Sequence, residues 1–175
     1  MRNYEIKLVD SSRKLADMLT DDIGNCKERM AEMMSITLKD EYPLSMRAAR
    51  IVSLVTEKFP TIIFPYISEI ITRLKSFKTE GVRRGFIKIL SETEYQFNEE
   101  ETGYLADLAF STLSDSGEAI SVRYYSIEII LRIIKIYPEL ANELKEVLTG
   151  MDEEQSAGMI SKKKQALKYI SRLTS

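Results

Sequence analysis

The stretch "SVRYYSIEIILRIIKIY", residues 121–137, is almost wholly apolar in a chain of 175 residues with a formal net charge of −2. Its charged side chains Glu128, Arg132 and Lys135 recur at helical spacing and form one narrow polar stripe. A membrane-spanning helix needs about 20 apolar residues without such interruptions. We therefore expect a helix that has neighbouring helices on several sides, as in the middle layer of a stack.

The same pattern occurs four times. The segments SMRAARIVSLV from Ser45, GVRRGFIKIL from Gly81, SVRYYSIEII from Ser121 and SKKKQALKYI from Ser161 align without gaps. Their third residue is basic in every copy (Arg47, Arg83, Arg123 and Lys163), which gives spacings of 36, 40 and 40. Apolar residues four and seven positions later share one helical face and predict the core: Ile51, Leu54, Ile87, Leu90, Ile127, Ile130, Leu167 and Ile170. A small residue in each copy allows a neighbouring helix to approach closely: Ala49, Gly85, Ser126 and Ala166.

A second helical pattern follows each of the first three copies. Pro60 and Pro138 are expected to end two of the first helices, because proline does not continue a helix. The second helices are predicted at about 61–77, 100–114 and 139–149, and a more degenerate pair at 12–22 and 26–39. Short polar turns separate the units, and no strand pattern competes. The sequence thus predicts an all-α chain of antiparallel helix pairs.

This arrangement resembles the HEAT repeat family. The resemblance is carried by the helix pair, the period, the steps Val82-Arg83 and Val122-Arg123, and Pro65 near the start of a second helix. It implies a right-handed α–α superhelix, a HEAT-like solenoid of about five antiparallel helix pairs, in a single domain over residues 1–175. The degenerate N-terminal pair would span about 12–39 and a C-terminal capping helix about 160–173. It also implies that the repeated basic residue is structural and pairs with acids or main-chain carbonyls of the adjoining turn.

Composition argues against an enzyme. The chain has no histidine, which is the commonest general base at neutral pH and the commonest metal ligand. Its seven glycines are scattered, its one cysteine, Cys26, has no intramolecular partner, and no cofactor or metal site is expected. Carboxylate runs at Asp21-Asp22, Glu99 to Glu101 and Asp152 to Glu154 are interpreted as solvated loop or cap residues. A HEAT-like DNA glycosylase remains as the enzymatic alternative, although tryptophan is absent and the pI is about 5.5.

The first and second helices differ in their balance of basic and acidic residues. The first helices (44–59, 82–92, 121–137, 161–173) carry fourteen basic residues against three acidic ones, whereas the second helices (26–39, 61–78, 99–115, 139–149) carry seven against eleven. The resemblance places the second helices on the concave side of a solenoid. We therefore expect a non-enzymatic interaction module that binds a protein or peptide along a face carrying Glu28, Glu32, Glu69, Arg73, Asp107, Glu143 and Glu146.

Two alternatives stay open at this stage. The basic first-helix surface could bind nucleic acid through Arg50, Arg84, Lys88, Arg132, Lys164 and Lys168. Alternatively, both faces are simply solvated. The N-terminal segment MRNYEIKLVDSS lacks the apolar core of a signal peptide, so a cytoplasmic location and no membrane partner are expected. The sequence does not identify the partner.

Overall fold

The computed structural model describes residues 3–151 and 156–173. This part of the chain is all-α and contains no strand. Its helices are α1 (Tyr4–Lys7), α2 (Arg13–Ile23), α3 (Lys27–Leu38), α4 (Leu44–Lys58), α5 (Ile67–Arg73), α6 (Glu80–Glu92), α7 (Glu99–Ser114), α8 (Ile120–Ile134), α9 (Ala141–Gly150) and α10 (Ala157–Leu173). Over these described ranges, no helix is long and apolar enough to cross a bilayer.

The chain forms two compact units, an N-terminal unit (Met1–Gln96) and a C-terminal unit (Phe97–Ser175). In the N-terminal unit, α4 contacts α3 and also the first helices α2 and α6. In the C-terminal unit, α8 contacts α7 and the first helix α10, while α9 contacts α7 and α10. Within each unit, a first helix therefore contacts both the helix before it and a neighbouring first helix. The helix order from α2 to α10 is the predicted one.

The repeat register of the core is confirmed. Ile51, Ile87, Leu90, Ile127 and Ile130 are buried, as the four-fold alignment predicts, whereas Leu54 is only half-buried. The small positions are confirmed too, because Ala49, Ser126 and Ala166 are buried. A Cβ added at Gly85 would lie 3.6 Å from the Cβ of Ala49, so α4 and α6 approach closely at this point.

The predicted continuous helix at 61–77 is wrong. A 3₁₀ helix covers Pro60–Tyr66, α5 is only seven residues long, and a second 3₁₀ turn covers Leu74–Ser76. Pro60 and Pro65 have no main-chain N–H, and a proline ring inside an α-helix clashes with the preceding turn. The two prolines thus limit the α-helical part to the segment after Tyr66.

The apolar stretch that begins at Ser121 is also shorter as a helix than expected. Helix α8 ends at Ile134, and Ile136, which lies within the predicted helix 121–137, is 64% exposed. Pro138 starts a short 3₁₀ turn that leads into α9. Because the chain leaves the helix before Ile136, this side chain loses the neighbours that the helical pattern would have given it.

The final helix buries Ile170 and Ala166 as predicted, but not the whole predicted set. Helix α10 begins at Ala157, and its buried residues are Met159, Lys162, Ala166 and Ile170, while Leu167 is half-buried and Leu173 is exposed. Ala166 and Ile170 thus agree with the repeat pattern, whereas Leu167 does not.

Helix α1 was not predicted. Tyr4 is fully buried, its hydroxyl donates to Asp22 at 2.7 Å, and its main-chain N–H donates to Glu32 at 3.2 Å. This side chain fixes the N-terminal segment against α2 and α3. A single aromatic residue in a polar segment has no periodicity that would reveal such burial.

Candidate functional site

The predicted partner-binding face includes four residues of the N-terminal unit. Glu28 is exposed, and hydrogen bonds from its own main-chain N–H and from the Cys26 thiol lower the pKa of its carboxyl. Glu32 is half-buried and accepts the hydrogen bond from the Tyr4 main-chain N–H. Both lie on α3, but Glu32 already holds α1 in place. Glu28 is thus the more available of the two for a partner.

Glu69 and Arg73 lie one turn apart on α5 and form an ion pair at 3.1 Å. Arg73 also donates to the main-chain carbonyl of Leu38 at 2.6 Å, and its guanidinium lies 5.2 Å from the centre of the Phe77 ring. These contacts give Arg73 a structural role that the sequence did not predict. Glu69 is the exposed member of the pair.

The remaining three residues belong to the C-terminal unit. Asp107 lies on α7, and Glu143 and Glu146 lie on α9, and α7 and α9 contact each other. All three side chains are exposed, and within the described ranges none has a hydrogen-bond or ion-pair partner. Helix α7 contains no basic residue. The structure therefore places these three on two helices that contact each other, and we call the three residues the α7–α9 face.

Three of the six residues of the predicted basic surface have contacts within the protein. Arg50 donates to the main-chain carbonyl of Ser11 at 2.7 Å. Lys88 forms ion pairs with Glu57 and with Glu92, the latter at 3.4 Å. The guanidinium of Arg132 lies 4.5 Å from the centre of the Phe97 ring, and burial lowers its pKa. The other three are exposed: Arg84, Lys164 and Lys168. The basic surface is thus less available for phosphates than its charge count indicates.

The repeated basic residue binds main-chain carbonyls. Arg47 donates to Leu8 at 2.8 Å and Val9 at 3.0 Å, Arg123 donates to Leu113 at 3.1 Å, and Lys163 donates to Met151 at 3.3 Å. Each acceptor precedes the helix that carries the donor. The expected structural role is therefore confirmed at these three positions, with carbonyls as the partners, but Leu8 and Val9 precede α2 and do not belong to the turn that adjoins Arg47.

The carboxylate runs mostly have structural partners. Asp21 and Asp22, predicted as solvated loop or cap residues, lie in the last turn of α2, and Asp21 is 71% exposed and pairs with Lys58 at 2.7 Å. Glu101 closes the capping box of α7, in which Asn98 accepts from the Glu101 main-chain N–H at 2.9 Å. The run from Asp152 to Glu154 lies outside the described residues. Among the described residues, no three histidine, cysteine or acidic side chains are grouped as a metal would require.

Two clefts in the N-terminal unit were not predicted. The larger, of about 540 Å³, is lined by Asp40, Tyr42, Met46, Lys78, Thr79, Glu80, Gly81 and Arg84. The smaller, of about 230 Å³, is lined by Ser53, Thr56, Glu57, Pro60, Lys88, Ile89, Glu92 and Thr93. Helices α4 and α6 contribute to both. The sequence shows which residues are charged, but it does not show that they surround a cleft. That arrangement comes from the contact between α4 and α6.

Asp40 organises one side of the larger cleft. It has a φ of +57°, and its carboxylate accepts from the main-chain N–H groups of Lys78 at 2.6 Å and Thr79 at 3.0 Å. Burial alone would raise the pKa of Asp40, but these hydrogen bonds outweigh it and lower the pKa. Asp40 thus connects the end of α3 to the start of α6.

Lys88 is the central charge of the smaller cleft. Burial alone would lower the pKa of Lys88, but the hydrogen bond to Glu57 and the charges of Glu92 and Glu57 outweigh it and raise the pKa. Thr56 beside it is 8% exposed, and its hydroxyl oxygen is buried without a hydrogen-bond partner in the described part of the chain. A buried polar group left without a partner costs about 1–3 kcal/mol. This cleft therefore combines a charged cluster with an unsatisfied hydroxyl.

Comparison with known proteins agrees with the fold. The family model described as "HEAT repeat domain" matches residues 8–170, so the chain belongs to the HEAT repeat family. Domains of this family are generally helical scaffolds without catalytic activity, and many mediate protein interactions. Searches of curated proteins and of solved structures each give no match.

Proposed function

We propose that this chain is a non-enzymatic, cytoplasmic interaction module that binds a basic protein or peptide segment along its second helices. The observation that carries the proposal is the α7–α9 face, whose acidic side chains are exposed and have no partners among the described residues. Exposed carboxylates of one sign attract a partner of the opposite charge and orient its approach. On the N-terminal unit, Glu28 and Glu69 are exposed carboxylates that we propose as separate contact positions of that unit.

Rigid recognition is the proposed mechanism. The exposed carboxylates lie on helices whose opposite sides are fixed in the core, as Leu105 of α7 and Leu144 of α9 are fully buried. Side chains on such helices are positioned before the partner arrives, so binding requires little ordering of the module. Affinity would then come from several spaced contacts along the helices.

Charge reversal tests the proposal. The tagged chain is used to capture partners from native lysate, and captured proteins are compared with those from a variant carrying Glu69→Lys and Asp107→Lys. Capture should be lost in the variant, while the melting temperature stays nearly unchanged because both side chains are exposed. A variant with Lys164→Glu and Lys168→Glu serves as the matched control and should keep capture.

Nucleic-acid binding is the alternative outcome. A gel shift with duplex DNA and with RNA at low and moderate salt would show steep salt dependence if the basic surface bound phosphates. We expect no shift, because Arg50, Lys88 and Arg132 make contacts within the protein. Partner capture that survives the reversal of Glu69 and Asp107 but is lost on reversal of Lys164 and Lys168 would contradict the proposal.

A further inference from the structure

Gly103 lies inside helix α7, which is an unfavourable place for a glycine. Only proline is less favourable than glycine in a helix interior, so a glycine there commonly serves close packing. Gly85 of α6 has such a reason, because a Cβ added to it would lie 3.6 Å from the Cβ of Ala49. A Cβ added to Gly103 would meet no atom within 4 Å. Contacts within the described part of the chain therefore do not explain a glycine at this position.

The main-chain conformation does not require a glycine at position 103 either. Among the described residues, the glycine with a positive φ is Gly24, which ends α2. Gly150 also has open space around it, but it is the last residue of α9, where a glycine costs little because the helix ends there. Gly103 lies well inside a helix of sixteen residues. The remaining reason for a missing side chain is the close approach of something outside the chain.

The side of α7 that carries Gly103 faces away from the core. Helical spacing places five residues along one strip of this side, which we call the α7 strip: Glu100, Gly103, Asp107, Phe110 and Ser114. Phe110 is half-buried, and the other four are exposed. The buried residues of α7 lie on its opposite side. The α7 strip is thus an uncovered helix face with a gap between its two carboxylates, where Gly103 has no side chain.

The charge of the α7 strip indicates the chemistry of its partner. Helix α7 contains no basic residue, and neither Glu100 nor Asp107 has a hydrogen-bond or ion-pair partner within the described ranges. At about 1.5 Å per residue, the two carboxylates are about 10 Å apart along the helix axis. A partner segment with basic side chains at the same separation would pair with both of them. Its main chain would then pass over Gly103, which lies between the two acids.

We propose that the α7 strip binds a basic α-helix of the partner protein, with a small residue of that helix packed against Gly103. A helix satisfies its own main-chain hydrogen bonds, whereas an extended segment would need main-chain partners that the side of α7 does not offer. Without a side chain at Gly103, the two helix axes can come closer than the usual distance of about 8–10 Å. Phe110 adds apolar surface beside this contact. The inference rests on the proposed function, because it names the form of the basic segment that Asp107 receives.

The test uses the full chain, labelled with ¹⁵N, and three blocked alanine-based peptides of about 18 residues. The helical probe carries arginines seven residues apart, on one face. A second peptide carries the same arginines five residues apart, on different faces, and a third has two central prolines that prevent a helix. We expect amide shifts along α7 with the helical probe, and at least about fivefold weaker binding of the other two. Equal binding of the proline peptide would overturn the helical form, and no shifts along α7 with the helical probe would overturn the site.

Substitutions of Gly103 test the close approach. Gly103→Leu fills the gap and should weaken binding of the helical probe at least about tenfold, while the fold persists because no atom lies within 4 Å of the added Cβ. Gly103→Ala should raise the melting temperature by about 2–4 °C, because alanine favours a helix, and yet weaken probe binding. Asp107→Asn should weaken binding about two- to fivefold. Ser171→Leu adds the same side chain at an exposed position of α10 and should leave binding unchanged.

The results separate this inference from the proposed function. A Gly103→Leu variant that binds the helical probe as the wild type does would overturn the inference. Protein capture that is lost on reversal of Glu69 and Asp107 would in that case leave the proposed function standing. Conversely, probe binding that depends on Gly103, together with protein capture that survives the charge reversal, would contradict the proposed function and leave the helix-binding strip intact.

Discussion

Lys162 of α10 forms an ion pair with Glu128 of α8, so this member of the predicted polar stripe contacts a neighbouring helix. Lys162 is 8% exposed, and its ammonium group lies 5.0 Å from the centre of the Tyr124 ring. Burial alone would lower the pKa of Lys162, but the hydrogen bond and charge of Glu128 outweigh it and raise the pKa. The charged form of Lys162 is therefore stabilised at the contact between the two helices.

We predict that Glu128→Gln destabilises the chain more than Lys162→Met does. Glu128→Gln leaves a buried ammonium group without its charged partner and should cost about 1.5–3 kcal/mol, the range for hydrogen bonds to charged groups. Lys162→Met keeps the methylene packing and leaves a carboxylate that is 35% exposed to be hydrated, so it should cost less than about 1 kcal/mol. Urea unfolding of both variants measures the difference. Equal losses in the free energy of unfolding of the two variants would contradict this prediction.

Ile127 tests the repeat register. It is fully buried on α8, and Ile127→Ala should cost about 2–5 kcal/mol in the free energy of unfolding, as large-to-small changes in a core do. Ile136→Ala removes the same atoms from an exposed position and should cost less than about 0.5 kcal/mol. Denaturant unfolding provides both values. A loss below about 0.5 kcal/mol for Ile127→Ala would mean that this position does not belong to the core.

The sequence predicts the burial of residues that occupy repeated positions. Residues such as Ile87 and Ile127 occupy one position of an aligned pattern, and this position is buried in three of the four copies, while Leu167 in the last helix is half-buried. Tyr4 and Thr56 belong to no repeated pattern, because their environment comes from tertiary contacts of a single copy. The basic residues Arg50 and Arg132 were correctly placed on first helices, but a charge count does not show which of them already contact Ser11 or Phe97.

We predict that the connection that Asp40 makes between α3 and α6 weakens in acid. Its pKa is lowered below the usual 3.8, so the stability that its ionised form contributes is present above about pH 4 and is lost as pH falls through the lowered pKa. Asp40→Asn keeps a residue that tolerates a positive φ and removes the charge. The wild type should therefore be more stable than Asp40→Asn at pH 7, and this difference should shrink towards pH 2. Thermal melts of both proteins across this range measure it, and a constant difference would contradict the prediction.

We predict that helix α10 shields apolar side chains of α8 and α9 from solvent. It contacts both helices and buries Met159, Ala166 and Ile170, while Lys164, Lys168 and Arg172 stay exposed.

Removing residues 157–175 should uncover apolar side chains of α8 and α9 over several hundred Å², a patch large enough to cause self-association. Size-exclusion chromatography with light scattering should show oligomers or aggregates of the truncated chain, together with a lower melting temperature. The variant Lys164→Ala with Lys168→Ala alters only the exposed side of α10 and should remain like the wild type in both measurements. A truncated chain that has the oligomeric state and melting temperature of the full chain would show that α10 does not protect these helices.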